Sequence, residues 1–336
     1  MTASRSPLFL EEWVEHIRRR WKVRPERIVL GKPDGTPRLD AVLYRTRSGK
    51  FWQPPDTPYV PVAFETTPDA GFHSIYTHWT DLSDTLAAHM ATTGISKILT
   101  LMPEVSDVRA WRWHGFLVGV RYTFYQEFPY DLAQANQSVR AHIKKAQKAG
   151  YTCRRADSTA DVSACLSETE ERSGYNHEYS LEQLEALQRF LGREHLRCYT
   201  AYAPSGEPAA SYGVLHNEGG HALAWIISTR TNHLPSGVTQ LLHRYVTQDL
   251  ENAGAAGFDL VGASLESIAA AKAGWGPRLV PHYYLQQYSP RRIAGFAYYG
   301  MQDIVARFKE ARRKSGSAPS NASSQGVGSR VLLRRA

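Results

Sequence analysis

The sequence predicts a mixed α+β protein, mostly antiparallel sheets flanked by helices, and three observations carry that prediction. "LRCYTAYA", "PAASYGVLH" and "HALAWIIST" are β-rich runs separated only by the tight turns "PSGE" and "NEGG", the spacing of antiparallel neighbours. Val238, Leu241, Leu242, Tyr245 and Val246 recur at i, i+3, i+4, i+7 and i+8, an apolar helical stripe. The order helix, helix, three strands, helix, strand, helix, strand fills the second half, and the first half is a blurred copy of it. The 336 residues leave room for two domains. The expected division is a first domain over 1–130, a joining helix over 131–150, a second domain over 151–312 and a flexible basic tail over 313–336.

Taken in order, "LFLEEWVEHIRRRW" is a helix with Leu10, Trp13, Val14 and Ile17 inward, and "RIVLGKPDGTPRLDAVLYRTRSGKFWQ" a meander turning at "PDGT" and "RSGK". "LSDTLAAHMATTG" is a helix, "SKILTLMP" a strand, "SDVRAWRWHG" a short helix and "FLVGVRYTFYQEF" a strand. The joining helix "DLAQANQSVRAHIKKAQKAG" buries Leu132, Ala135, Val139, Ile143 and Ala146, and sets Arg140, Lys144 and Lys148 in one basic stripe. In the second half, Val162, Cys165, Leu166 and Thr169 share a helical face. Ser180 and Gln183 form a capping box for a helix that stops at Gly192. After the strands and the main helix come the buried strand "GFDLVG", the helix "SLESIAAAKAG" with Ser264 as N-cap, and the strand "RLVPHYYLQQY".

A hydrophobic content of 42% and a charged content of 21% fit a soluble globular protein, and the net charge of +8 favours anionic partners or simply aids solubility. Three widely spaced cysteines, Cys153, Cys165 and Cys198, read as reduced thiols without metal-ligand spacing. His216, His221, His233 and His243 show no metal spacing either. No apolar run reaches the ~20 residues of a membrane span. Acidic residues stand where a signal peptide has its apolar core, so a cytoplasmic location without membrane insertion is expected.

The "SVRAHIKKAQKAG" helix, the "LPSGVTQLL" helix start, the "GFDLVGA" strand and the lysine ahead of "GWG" resemble the Fem-type (FemABX-like) transferases, which carry two GNAT-like acyltransferase units in tandem. "FWQPPDTPYVP" and "PEVSDVRAWRWHGFLVGVRYTF" are similar to first-half segments of such proteins. The resemblance implies two tandem GNAT-like domains and transfer of an acyl group to an amine. The expected co-substrate is aminoacyl-tRNA with a small-molecule amine as acceptor, and no bound cofactor. The alternatives are an acyl-CoA-dependent N-acyltransferase and a non-catalytic module binding RNA or a nucleotide sugar. "NHLPSGVTQLL" keeps Gly237 but has Thr239 where a coenzyme-A pyrophosphate loop has a second small residue, which weakens a phosphate cradle of backbone amides. The chain also shows no long periodic stretch for a coiled-coil arm, which favours a soluble acceptor.

Acyl transfer to an amine needs a neutral nitrogen, a polarised carbonyl and a stabilised leaving group. No Gly-x-Ser-x-Gly or Cys–His nucleophile is present, so direct attack is expected, with polarisation from backbone amides of strand 222–229 where the next strand splays away. The resemblance implies that Lys272 holds a phosphate or the leaving group; a solvent-facing helix lysine is the other reading. Asp259, inside an apolar strand, is a base, an orienter or a cap. Tyr283 and Tyr284 alternate faces, so one of them reaches a cleft as an acid or both fill core. Gly262 lets a ligand approach the backbone. Arg140 and Lys144 are candidates for the RNA acceptor stem or a diphosphate, and the resemblance places Arg109, Trp111 and Trp113 on the acceptor side.

Overall fold

Trp13, Val14 and Ile17 are buried on one face of α1 (Glu11–Trp21), as their spacing requires, and Leu10 packs beside them from the position just ahead of the helix. The structure, a computed structural model, describes residues 6–32, 35–156, 159–174 and 179–287. The described residues all fall in one compact unit that ends at Gln287. The predicted tail and the last part of the second domain lie outside the described residues.

The first-half meander is β1 (Arg24–Gly31), β2 (Arg38–Arg45) and β3 (Val62–Glu65), an antiparallel sheet of three strands in that order. The "RSGK" turn leads only to a single bridge between Arg45 and Phe51, and the third strand comes later than the sequence suggests. α2 (Phe72–Thr93) begins ten residues before the predicted helix. β4 (Leu99–Thr100), α3 (Arg109–Trp113) and β5 (Phe116–Glu127) follow. The joining helix is a 3-10 turn over Leu132–Gln134 and then α4 (Gln137–Lys148), started by Asn136, whose side chain accepts from Val139 N–H.

The second half runs β6 (Thr152–Arg155), α5 (Ala160–Ser173), α6 (Leu181–Leu191), β7 (Leu196–Tyr202), β8 (Pro208–Leu215) and β9 (His221–Thr229). α7 (Val238–Asn252), β10 (Gly257–Asp259), α8 (Glu266–Ala273) and β11 (Arg278–Gln287) complete it. Both members of the Ser180–Gln183 capping box are present on α6. Ser264, in contrast, does not cap α8: the N-cap is Leu265, without a side-chain bond, and Ser264 is exposed.

Eight strands form one sheet in the order β4-β11-β5-β10-β9-β8-β7-β6. The halves interleave there. β11, from the end of the second half, lies between β4 and β5 of the first, paired with β5 along ten residues from Arg278↔Tyr125 to Gln287↔Phe116. β5 in turn pairs antiparallel with β10. A boundary at residue 130 therefore divides the chain but not the sheet. The close approach of β5 and β11 needs a glycine: a Cβ at Gly119 would collide with the Tyr284 ring.

Candidate active site

β9 and β10 are parallel neighbours for three residues only, Gly257–Asp259 against His221–Leu223. The chain after β10 then follows β5, with Leu260 N–H bonded to Phe124 O at 2.9 Å and Ala263 N–H to Tyr122 O at 2.9 Å. From Ala224 onward β9 is left without a strand partner on that side, among the described residues. The separation opens a cleft of about 530 Å³ walled by Ala224, Ile227, Leu260, Ile268, Trp225 and Trp275. Its polar contributions are Tyr212, Thr239, Gln240, His243, Ser267 and Lys272. Backbone donors along a splayed strand beside an apolar cleft are what a developing oxyanion needs.

Lys272 sits at the base of this cleft. Its three ammonium hydrogens go to the carbonyls of Leu260 (2.6 Å), Val261 (2.7 Å) and Gly262 (2.8 Å). Burial lowers its pKa to about 8, against the charge of Asp259, which raises it. Three carbonyl acceptors demand three donors, so the ammonium is the form that fits. With its donors committed, Lys272 builds the turn at the end of β10 and does not present a free cation to a phosphate. The turn is costly at Val261, a β-branched residue at φ 45°, whereas Gly262 takes its φ of 80° without strain.

Asp259 holds the same turn from the opposite side. Its Oδ1 accepts from Thr123 Oγ1 (2.5 Å) and Val261 N–H (2.8 Å), and its Oδ2 from the Tyr59 hydroxyl (2.9 Å). It is fully buried, and burial raises its pKa to about 6 despite these donors. Its carboxylate caps the turn and is closed off from the cleft. Gly262 N–H donates to Thr123 Oγ1 at 3.2 Å, so Thr123 ties β5 to the turn as well.

Sequence reasoning missed the His243 cluster. His243 Nε2 lies 2.9 Å from Gln126 Oε1 and Nδ1 lies 3.1 Å from the Tyr212 hydroxyl, with Trp275 against the ring at 4.2 Å. With the Gln126 amide so turned, Nε2 carries the proton and the Tyr212 O–H donates to Nδ1. Burial lowers the His243 pKa to about 3, so the ring is neutral at pH 7. The available signal was its position between the stripe residues Leu242 and Val246 of α7, one residue away from the apolar face.

The remaining candidates scatter. Tyr283 packs against the first-half core and pairs opposite Val120, away from the cleft, because β11 joined the first-half strands. Trp111 is wholly buried, its Nε1 donating to Met90 Sδ, whereas Trp113 is exposed. Arg109 lines a separate first-half groove of about 410 Å³. Arg140 donates to the carbonyls of Ala133 and Ala135 and braces the turn ahead of α4, so it leaves the basic stripe; Lys144 and Lys148 are exposed. Gly237, at φ 84°, is pressed on α4: a Cβ there would overlap the His142 carbonyl. The close contact with α4 is what requires a glycine at this position. Among the described residues no group of three His, Cys, Asp or Glu is placed to hold a metal, and no helix is long and apolar enough to cross a membrane.

The sequence pattern of the acetyltransferase (GNAT) domain matches residues 133–267, from the turn before α4 into α8. The second half thus carries a GNAT acyltransferase domain. Among solved structures, that of FemX aligns with a TM-score of 0.58 over 82% of this chain and 90% of its own, at 12% identity. The fold is that of the Fem-type transferases. The same Fem-type fold relates the chain to the C-terminal domain of a putative lysylphosphatidylglycerol synthetase from Agrobacterium fabrum. That alignment has a TM-score of 0.54 and 12% identity, over 88% of this chain and 95% of that one. No curated protein matches the sequence.

Proposed function

We propose that the protein forms an amide by moving an aminoacyl group from aminoacyl-tRNA to the amine of a small-molecule acceptor. The observation that carries this is the β9/β10 cleft, whose apolar walls, splayed backbone and lysine-held turn suit an activated carbonyl. A neutral amine attacks the ester carbon, the C–N bond forms, the C–O bond to the ribose breaks, and the amine's proton ends on the ribose oxygen. Free N–H groups of β9 stabilise the oxyanion. Tyr212, fixed by neutral His243, is the hydroxyl in the cleft suited to hold the incoming nitrogen or relay its proton. Thr239, standing where a coenzyme-A pyrophosphate loop has a second small residue, favours an RNA-borne ester over coenzyme A.

An acyl-CoA donor is the second reading, favoured by Thr239 and Gln240 of the first turn of α7, which line the cleft and bring the helix N-terminus to it. One assay separates the two. The protein is incubated with charged tRNA or with acyl-CoA and a panel of amines. RNase-sensitive loss of the aminoacyl ester with amide formation is expected; RNase-insensitive thiol release moves the assignment to acyl-CoA.

A further inference from the structure

The first two turns of α2 carry Phe72, Ile75, Tyr76 and Trp79 at i, i+3, i+4 and i+7, the spacing of a stripe that packs on something. Trp79 packs against the first-half core beside Phe64 and Trp111, but the outer three stay open: Phe72 is 84% exposed, Ile75 36% and Tyr76 38%. Farther along the helix, Leu86, Ala87 and Met90 are buried in the first-half core. The stripe, with Phe64, walls the groove of about 410 Å³, and Glu104, Asp107 and Arg109 supply its charges.

Those charges decide what the groove takes. Asp107 and Arg109 neutralise each other through paired bonds of 2.9 and 2.7 Å, and the guanidinium lies over the Tyr76 and Trp113 rings at 5.2 and 5.8 Å. Glu104 has no such cation. Its Oε1 accepts from the Tyr125 hydroxyl at 2.9 Å, its Oε2 is buried without a partner, and the basic group beside it is His221 Nδ1 at 3.9 Å from Oε1. In a protein of net charge +8, this aromatic groove has a negative balance. Ring faces and a carboxylate together attract an organic cation. A phosphate would meet Glu104, and the guanidinium lining the groove is already engaged.

We propose that this groove binds the acceptor, and that it selects a small primary amine with an aromatic or branched aliphatic body. The ammonium rests on Glu104 and the body lies against Phe72, Tyr76 and Trp79. Glu104 also borders a small cavity shared with Asp259, two residues before Val261 of the cleft, so the charged end is the end toward the acyl site. The word acceptor rests on the transfer reading above; the binding does not.

The test is a calorimetric or NMR titration of the full-length protein, with no donor present, using 2-phenylethylamine, 2-phenylethanol and 3-phenylpropionate. The amine is expected to bind, the alcohol about tenfold more weakly, and the carboxylate not at all. Glu104→Gln should reduce the amine to the level of the alcohol. Phe72→Ala, at an exposed position, should weaken amine and alcohol alike several-fold, and it reports on the groove even where Glu104→Gln fails to fold. Carboxylate binding equal to that of the amine, an unchanged amine affinity in Phe72→Ala, or no amine binding at millimolar concentration overturns the proposal. Absence of RNA-dependent transfer overturns only the transfer reading, since the titration contains no donor.

Discussion

Lys272 and Asp259 grip one turn from two sides, and each behaves differently from a solvent-facing group of its type. Replacing Lys272 with Met takes the donor from the carbonyls of 260–262, at roughly 1–3 kcal/mol for the buried Leu260 and less for its half-exposed neighbours. Lys272→Met should therefore lower the denaturation midpoint as well as transfer; unaltered stability with lost transfer would mean that the ammonium acts on substrate instead. Asp259 has a folded pKa of about 6 against 3.8 for the free side chain. A raised carboxyl pKa means that folding favours the protonated form. Its contribution to stability is complete below 3.8 and is lost as pH rises through about 6. Relative to Asp259→Asn, the wild type should gain up to about 3 kcal/mol between pH 7 and pH 4. Denaturant titrations of both proteins across that range test this, and a constant difference would contradict it. The residue types were legible in advance: a carboxylate inside "GFDLVG" had to find partners. Which partners it found was not, because Tyr59 and Thr123 lie 200 and 136 positions away.

α7 and α6 were readable because their signals are local, a stripe in one and a capping box in the other. Ser180→Ala should cost about 1 kcal/mol, seen as a shifted denaturant midpoint with unchanged slope. The start of α2 was missed although Phe72, Ile75, Tyr76 and Trp79 keep helical spacing, since of these four Trp79 alone packs on the core and the first turn stands exposed. Gly237 shows the opposite case, a local motif put to a nonlocal use. Its φ of 84° and its contact with His142 join α7 to α4. Gly237→Ala should cost more than the roughly 1–2 kcal/mol of a left-handed residue alone. Faster hydrogen exchange in α4 is the expected reading, and unchanged α4 protection would mean that the contact is dispensable.

β11 and β5 make the halves mutually dependent. A fragment of residues 131–336 loses β5, and with it the antiparallel partner of β10 and the long neighbour of β11. It also loses Tyr59 and Thr123, the hydroxyl donors to Asp259. This fragment should lack a cooperative unfolding transition by circular dichroism; a sharp one would make residue 130 a true domain boundary.

Periodicity and turn chemistry act over a few residues, so composition and spacing sufficed for the class of fold, the order of elements apart from the short edge strand β6, and the apolar strand that carries Asp259. The sheet order, the cleft between β9 and β10, and the carbonyl cage of Lys272 depend on which distant segments compete for the same hydrogen-bonding edges. Leu260 could have continued along β9; it follows β5 instead, and that choice, invisible in any short stretch, opens the site.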